Sequence, residues 1–253
     1  MSGTSDIAAC AALVERGDPA RFRTAMMAPM AAREALFVLY AFNVEVSRAP
    51  WVTQEAMIAE MRLQWWRDVL EEIAGGGPVR RHEVATPLAA LLQPAQANRL
   101  DTLVAARRWD IYRDPFEDAQ DLDRYLTQTA ATLMEVAAEL LGAPDSSAVA
   151  GAGYASGVAG FLRAVPELER QGRVPLVDGT RSGVAALARR GLDALASARR
   201  AGGIPRGAVP ALWPATASEP ALRAADRAPE HVAEGTLPEA GLGLTLRAAL
   251  GRW

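Results

Sequence analysis

The chain contains no lysine: all 27 of its basic residues are arginines, set against 30 acids in 253 residues. A GC-rich coding sequence accounts for this bias more simply than a functional demand. The net charge of −3 and a pI near 5.6 argue against a nucleic-acid partner held by backbone electrostatics. Cysteine is nearly absent as well. With Cys10 alone there is no internal disulfide framework, and a reducing compartment is expected. No histidine stands near Cys10 in sequence, so it reads as an inert thiol close to a frayed terminus. His82 and His231 stand apart, without partners at metal or triad spacing, and indicate neither a zinc site nor histidine-based catalysis. The opening "MSGTSDIAACAALVERGDPARF" lacks the basic start and long apolar core of a signal peptide. No run approaches the ~20 uncharged apolar residues that a membrane span needs. The expectation is a soluble, cytoplasmic protein that is free to rest on the inner membrane as a peripheral protein.

What the chain has in quantity is helical period. Half its residues are apolar, enough for a sizeable core. Residues 31–48 place Ala35, Leu36, Leu39, Tyr40, Asn43 and Val46 on one stripe between Pro29 and Pro50. Residues 54–74 repeat the pattern, and helices are expected over 86–109, 121–141, 146–165 and 180–200. Gly142 and Pro144 supply one stop, and "PELERQGRVPL" is expected to break the helix before it. "GGIPRGAVPALWPATASEP" reads as an irregular or short-helix linker, followed by at most two short helices. β-branched alternation and internal repeats are absent. These features predict an all-α chain: an N-terminal segment, 1–20, and one bundle-like domain, 21–253.

Several local features have a bland reading beside a chemical one. Trp65 and Trp66 in "RLQWWRDVLEEI" suit core packing at adjacent helix positions better than a stacking platform. "RRWDIYRDPFEDAQD" carries acids, but it lacks the glycine and terminal glutamate of a calcium loop. It reads as a solvated loop with a helix N-cap at Asp121. Gly153, Gly157 and Gly160 recur at helical spacing and suit close packing of one helix on another backbone. Arg163, Glu167, Arg170 and Arg173 repeat near helical spacing. Such a row either holds phosphate through forked hydrogen bonds or is a solvated, salt-bridged helix end.

Three segments in order, "RFRTAMMAPMAAREALFVLYAFNVEVSR", "MRLQWWRDVLEEI" and "GYASGVAGFLRAVPELERQGRVPL", resemble the squalene/phytoene synthase family of prenyltransferases. The match runs roughly from Arg21 to beyond Trp213. It implies an isoprenoid-synthase-type helical bundle with two acid-rich motifs facing a central cavity. Those acids hold Mg²⁺, a hard ion that bridges carboxylates to a departing diphosphate. Aligned on "YAFN" (Tyr40–Asn43), the first motif's aspartates fall at Ser47, Arg48 and Trp51. Aligned on Leu162–Arg163, the second motif's acids fall at Ala164, Glu167 and Leu168, and only Glu167 is acidic. Glu45, three residues before Arg48, is expected to form a local ion pair with it.

The same segments are similar to a non-catalytic branch of the family, the respiratory-complex-I assembly factors of mitochondria and their bacterial relatives. That likeness implies a pseudo-enzyme without a cofactor, whose partners are respiratory complex subunits or other assembly proteins. A rival implication is a prenyltransferase with a rearranged, Mg²⁺-dependent or arginine-based site. A third is a carrier that binds an isoprenoid or lipid without turnover. Matching family positions make Tyr40, Arg163, Glu167 and Arg173 the candidate vestigial substrate-binding residues.

Overall fold

The computed structural model describes residues 2–53 and 55–253, and no strand occurs among them. The all-α prediction holds. The order is α1 (Ser2–Gly17), α2 (Pro19–Met26), α3 (Met30–Arg48), α4 (Ala56–Ala74), α5 (Ala85–Leu91), α6 (Pro94–Ala106) and α7 (Ala119–Leu126). A π-helical turn (Thr127–Ala131) joins α7 to α8 (Thr132–Leu140). Then follow α9 (Ser147–Arg170), α10 (Arg181–Ala201), α11 (Trp213–Arg227), α12 (Glu230–Ala233) and α13 (Leu242–Ala249). One continuous apolar core runs from Cys10 to Leu244.

The N-terminal segment is part of that core. α1 packs along α3 and buries Leu13, Val14 and Cys10. Cys10 is therefore not near a frayed end, contrary to the sequence expectation. Burial, with help from Glu83 and Asp6, pushes its thiol up to about 12, so the nucleophilic thiolate is suppressed at neutral pH. α3 departs from a single apolar stripe: every residue from Leu36 to Val44 is buried, because α1, α5 and α8 cover its different sides.

Other boundaries differ for local reasons. The helix expected over 86–109 divides where Leu92 turns extended. Pro94 then opens α6 under a reciprocal Gln93–Gln96 capping box. Pro166 does not end α9, which runs on to Arg170 and closes in a Schellman turn. There Gly172 takes φ +78°, its N–H donates to the Glu169 carbonyl, and the Arg173 N–H donates to the Leu168 carbonyl. The proline-rich stretch read as a linker is a 3₁₀ turn (Arg206–Leu212) followed by the regular helix α11. Pro214 sits in the first turn of α11, where its missing N–H costs nothing. Asp118, not Asp121, is the N-cap of α7, accepting from the Asp121 N–H at 2.8 Å.

α9 is the central post, packed against α8, α10, α11, α12 and the π turn. By length and composition it would suit a membrane span, which the sequence reading missed; 67% of that window is buried inside the protein. A Cβ on Gly153 would lie 2.5 Å from the Ala131 Cα, and one on Gly157 would lie 2.8 Å from the Ala130 Cβ. The glycines thus set the spacing between α9 and the π turn, the packing role their spacing suggests. Gly160 is different, since a Cβ there would meet nothing within 4 Å. Gly153→Ala should accordingly cost about 1–3 kcal/mol through forced separation of the two backbones. Gly160→Ala should be neutral or stabilise by up to ~1 kcal/mol through helix propensity. Urea denaturation midpoints check the pair, and equal effects at both positions would refute the close-approach account.

Candidate functional site

The end of α3, the π turn and the middle of α9 enclose a cavity of about 390 Å³. Ser47, Arg48 and Trp51 line one wall, and Ala164 and Leu168 line the facing wall on α9. Five positions that the family resemblance pairs across a cavity do meet across one. Glu167 does not. Positions 164 and 168 share the inward stripe of α9, while 163 and 167 share the next stripe, which is exposed. The one acid retained at the motif positions therefore pairs outside the cavity, with Arg170 and with the Gln171 amide at 2.7 Å.

The charge inside the cavity comes from elsewhere. Asp18 caps α2 by accepting from the Arg21 N–H, and its other oxygen binds the Arg21 guanidinium at 2.5 Å, holding that side chain on the cavity wall. Arg107 donates to Asp110 Oδ2 at 3.2 Å and to Tyr125 Oη at 2.8 Å, and Tyr125 donates to Asp110 Oδ1 at 2.9 Å. Burial opposes the Arg107 charge, but Tyr125 and Asp110 beside it more than offset that, and its pKa is raised. Burial also raises the Tyr125 pKa, keeping the phenol protonated as a donor. Asp110, read from sequence as one acid of a solvated loop, is in fact buried here. Arg48 lines the cavity and does not pair with Glu45. That residue turns instead into a smaller pocket with Arg62, Trp65, Trp66 and His82. Trp66 is buried and Trp65 half-buried, their rings edge to face at 4.8 Å, as the packing reading predicts.

The donor set does not suit Mg²⁺. Among the described residues no three His, Cys, Asp or Glu side chains converge to hold a metal ion. Among the described residues Asp110 is the one carboxylate on the cavity wall, and Arg107 and Tyr125 occupy its oxygens. In place of the carboxylates that a hard cation would need stand a guanidinium, an indole, two aliphatic side chains and the Ser47 hydroxyl, which donates to the Val44 carbonyl at 3.1 Å.

The four candidate residues fall in four different settings. Tyr40 is buried in the core with Arg21 5.7 Å from its ring centre. Arg163 lines a second cavity, of about 440 Å³, between α2, α9, α11 and the C-terminal tail, and donates to the Pro238 carbonyl at 2.9 Å. Glu167 is at the surface. Arg173 is buried and donates to the carbonyls of Trp109 (3.2 Å), Tyr112 (2.6 Å) and Asp110, while its guanidinium lies 4.9 Å from the Trp51 ring centre. Arg163 and Arg173 are therefore not brought together, and Arg173 works as a backbone clamp. Beside Arg48, the residues that charge the cavity are Arg21 and Arg107, which went unread in the sequence, and Asp110, which reads there only as an acid of a solvated loop. The three-residue spacings Asp18–Arg21 and Arg107–Asp110 hint at pairing but carry no sign of burial.

The family model for squalene/phytoene synthase matches residues 14–178, most of the chain and both walls of the cavity. The chain belongs to the squalene/phytoene synthase family. It is similar to a dehydrosqualene synthase crystal structure, with TM-score 0.75 and 15% identity over 89% of this chain and 87% of that one. It is also similar to squalene synthase HpnC from Alicyclobacillus acidocaldarius, with TM-score 0.73 and 17% identity over 92% and 95%. At such identities these likenesses establish the isoprenoid-synthase helical fold alone. Among named proteins, the complex I assembly factor 6 homolog of Drosophila melanogaster is 33% identical over 171 residues, 64% of this chain and 51% of that protein. The human complex I assembly factor 6 is 26% identical over 161 residues, 62% and 48%. The chain thus spans about half the length of the curated relatives it matches.

If Arg173 is a clamp, Arg173→Ala should lower stability by about 2–4 kcal/mol, since one buried and two part-buried carbonyls lose a charged donor. Arg173→Lys should recover only part of this, because an ammonium lacks the planar fork. Urea titration of the two variants is the check. An unchanged midpoint in Arg173→Ala would return this residue to the list of ligand-binding candidates.

Proposed function

We propose that this protein is a catalytically degenerate member of its family that acts in assembling or stabilising a membrane respiratory complex, complex I. Its partners in this reading are complex I subunits or other assembly proteins. The carrying observation is the cavity wall itself: Ser47, Arg48, Trp51, Ala164 and Leu168 stand where the family resemblance puts metal-binding acids, and among the described residues the single lining carboxylate is already hydrogen-bonded. Ionising a prenyl diphosphate places negative charge on the leaving group, which a metal cluster must neutralise as the bond breaks. Arg48 adds positive charge where Mg²⁺ would sit, and nothing there can anchor the ion against its hydrating water. The names of the curated relatives that the chain matches support the assembly role.

A second reading has its own support. The cavity keeps aromatic walls from Trp51, Trp109 and Phe161, and Arg21, Ser156 and Gly160 line both it and the neighbouring 440 Å³ cavity. Two buried donors on its wall, the Trp109 indole N–H and Arg107 Nε, make no hydrogen bond among the described residues. An isoprenoid or lipid with an anionic head fits these features, bound by arginine without metal and without turnover. A working prenyltransferase with a rearranged metal site is the remaining alternative.

Purified protein given farnesyl or geranylgeranyl diphosphate and Mg²⁺ should form no squalene or phytoene. A strain lacking the protein should lose NADH:quinone oxidoreductase activity and assembled complex I while its squalene and phytoene pools stay unchanged. Mg²⁺-dependent product from the unmodified protein would overturn degeneracy. Intact complex I in the deletion strain would overturn the assembly role. For the carrier reading, farnesyl diphosphate should bind without Mg²⁺, and Arg48→Gln should weaken that binding about tenfold.

A further inference from the structure

One corner of the molecule is apolar on the outside. Trp51 and Val52, in and just after the 3₁₀ turn that ends α3, are 39% and 46% exposed. On the first two turns of α4, Met57, Ile58 and Met61 are 75%, 39% and 66% exposed. These five lie within eleven positions of sequence, while the inner face of the same turns, Ala59 and Leu63, is fully buried. A surface helix ordinarily turns polar groups outward, so α4 begins as a helix that is apolar on two sides. Its inner side is explained by the core. Its outer side is not explained by any contact among the described residues.

The fringe of this patch is cationic. Arg48, Arg62 and Arg113 are exposed, and none has a described carboxylate within salt-bridge distance. Glu60, within the patch, is occupied by Arg108 at 2.9 Å and by the Tyr112 hydroxyl at 3.1 Å. Glu45 (which shares a pocket with Arg62), Glu55 and Asp114 are the opposing acids nearby. Long guanidinium stems around an apolar centre suit a phosphate-bearing interface, where the stem lies on apolar material and the head meets phosphate. Trp51 adds a ring with a polar edge, the side chain most at home at that depth.

The patch also continues into the protein. Trp51 lines both the central cavity and a groove of about 370 Å³ at this corner, whose other walls include Pro50, Ala59, Ile111 and Arg173. The groove carries Arg113, Gln171 and Arg173 beside its apolar walls, so cationic groups run inward from the patch. An apolar patch fringed by arginines without described acid partners favours an anionic bilayer over a folded protein as the covering body.

We infer that the corner formed by Trp51, Val52, Met57, Ile58 and Met61 inserts into the interface of an anionic lipid bilayer, with Arg48, Arg62 and Arg113 at the phosphate level. This surface goes beyond the assembly reading and does not depend on it. The test is flotation of the full chain with vesicles of phosphatidylcholine alone or mixed with phosphatidylglycerol. Wild-type protein should float with the anionic vesicles. The Met57→Ser/Ile58→Ser/Met61→Ser variant should bind roughly tenfold more weakly or worse, with an unchanged circular dichroism spectrum because these side chains are exposed. Arg48→Gln/Arg62→Gln/Arg113→Gln should remove the preference for phosphatidylglycerol. Leu246→Ser/Leu250→Ser, at another exposed apolar site, should float as wild type does. Brominated lipid should quench wild-type fluorescence more than that of Trp51→Phe. Wild-type protein that fails to float, or a triple serine variant that floats equally well, overturns the proposal. If the protein does not float but the serine variant loses complex I subunits in a pull-down, the corner is a protein-docking face and the lipid assignment falls while the assembly reading stands.

Discussion

The distance between α9 and the π-helical turn is the constraint on which the rest of the structure depends. Gly153 and Gly157 bring the two backbones closer than any side chain would allow. Once that contact is made, the rotation of α9 about its axis is fixed. Its Gly157, Ala164 and Leu168 stripe then faces the cavity, and the neighbouring stripe of Arg163 and Glu167 is turned away. The end of α7 and the irregular turn also present Leu126, Thr129 and Ala130 to the same space. A straight α-helix over 121–141 would place different side chains there, so the local change from α to π winding shapes the chamber.

Arginine carries out the polar work inside this fold. Arg107 holds Tyr125 and Asp110, Arg173 gathers three carbonyls of the 109–112 segment, and Arg21 is fixed by Asp18. The planar fork suits these tasks, since one side chain satisfies several acceptors that burial would otherwise leave unpaired. Trp109 is pinned from both sides as part of this arrangement, by the Arg173 guanidinium at 5.4 Å and by stacking on Phe116 at 4.2 Å. The segment after α6 thereby becomes a rigid wall of the cavity although it contains only a 3₁₀ turn. On the chamber walls, the positions where the family resemblance puts metal-binding acids carry a hydroxyl, a guanidinium, an indole and two aliphatic side chains, none of them a carboxylate.

The sequence by itself determined the helical class, most helix starts and stops, and the identity of the residues at the acid-motif positions. Period, proline and glycine act locally, and "YAFN" and "LRAVP" fix the alignment without any knowledge of contacts. It also foretold that Gly153 and Gly157 serve packing. Tertiary structure alone decided which charges are inside. Arg163 and Arg173 stand ten positions apart in one arginine-rich row, yet Arg163 lines an outer cavity while Arg173 is buried among carbonyls beyond the Schellman turn. Pro166 and the proline-rich stretch before α11 read as breaks, but packing of α9 and α11 against each other and against α10 outweighs the local cost of a missing hydrogen bond. Asp110 looks like one acid of a loop until Arg107 and Tyr125, brought up by the 3₁₀ turn and by α7, close around it. Spacing along a chain sets which side chains share a helix face, whereas burial and pairing depend on which other helix arrives opposite, and no local pattern encodes that.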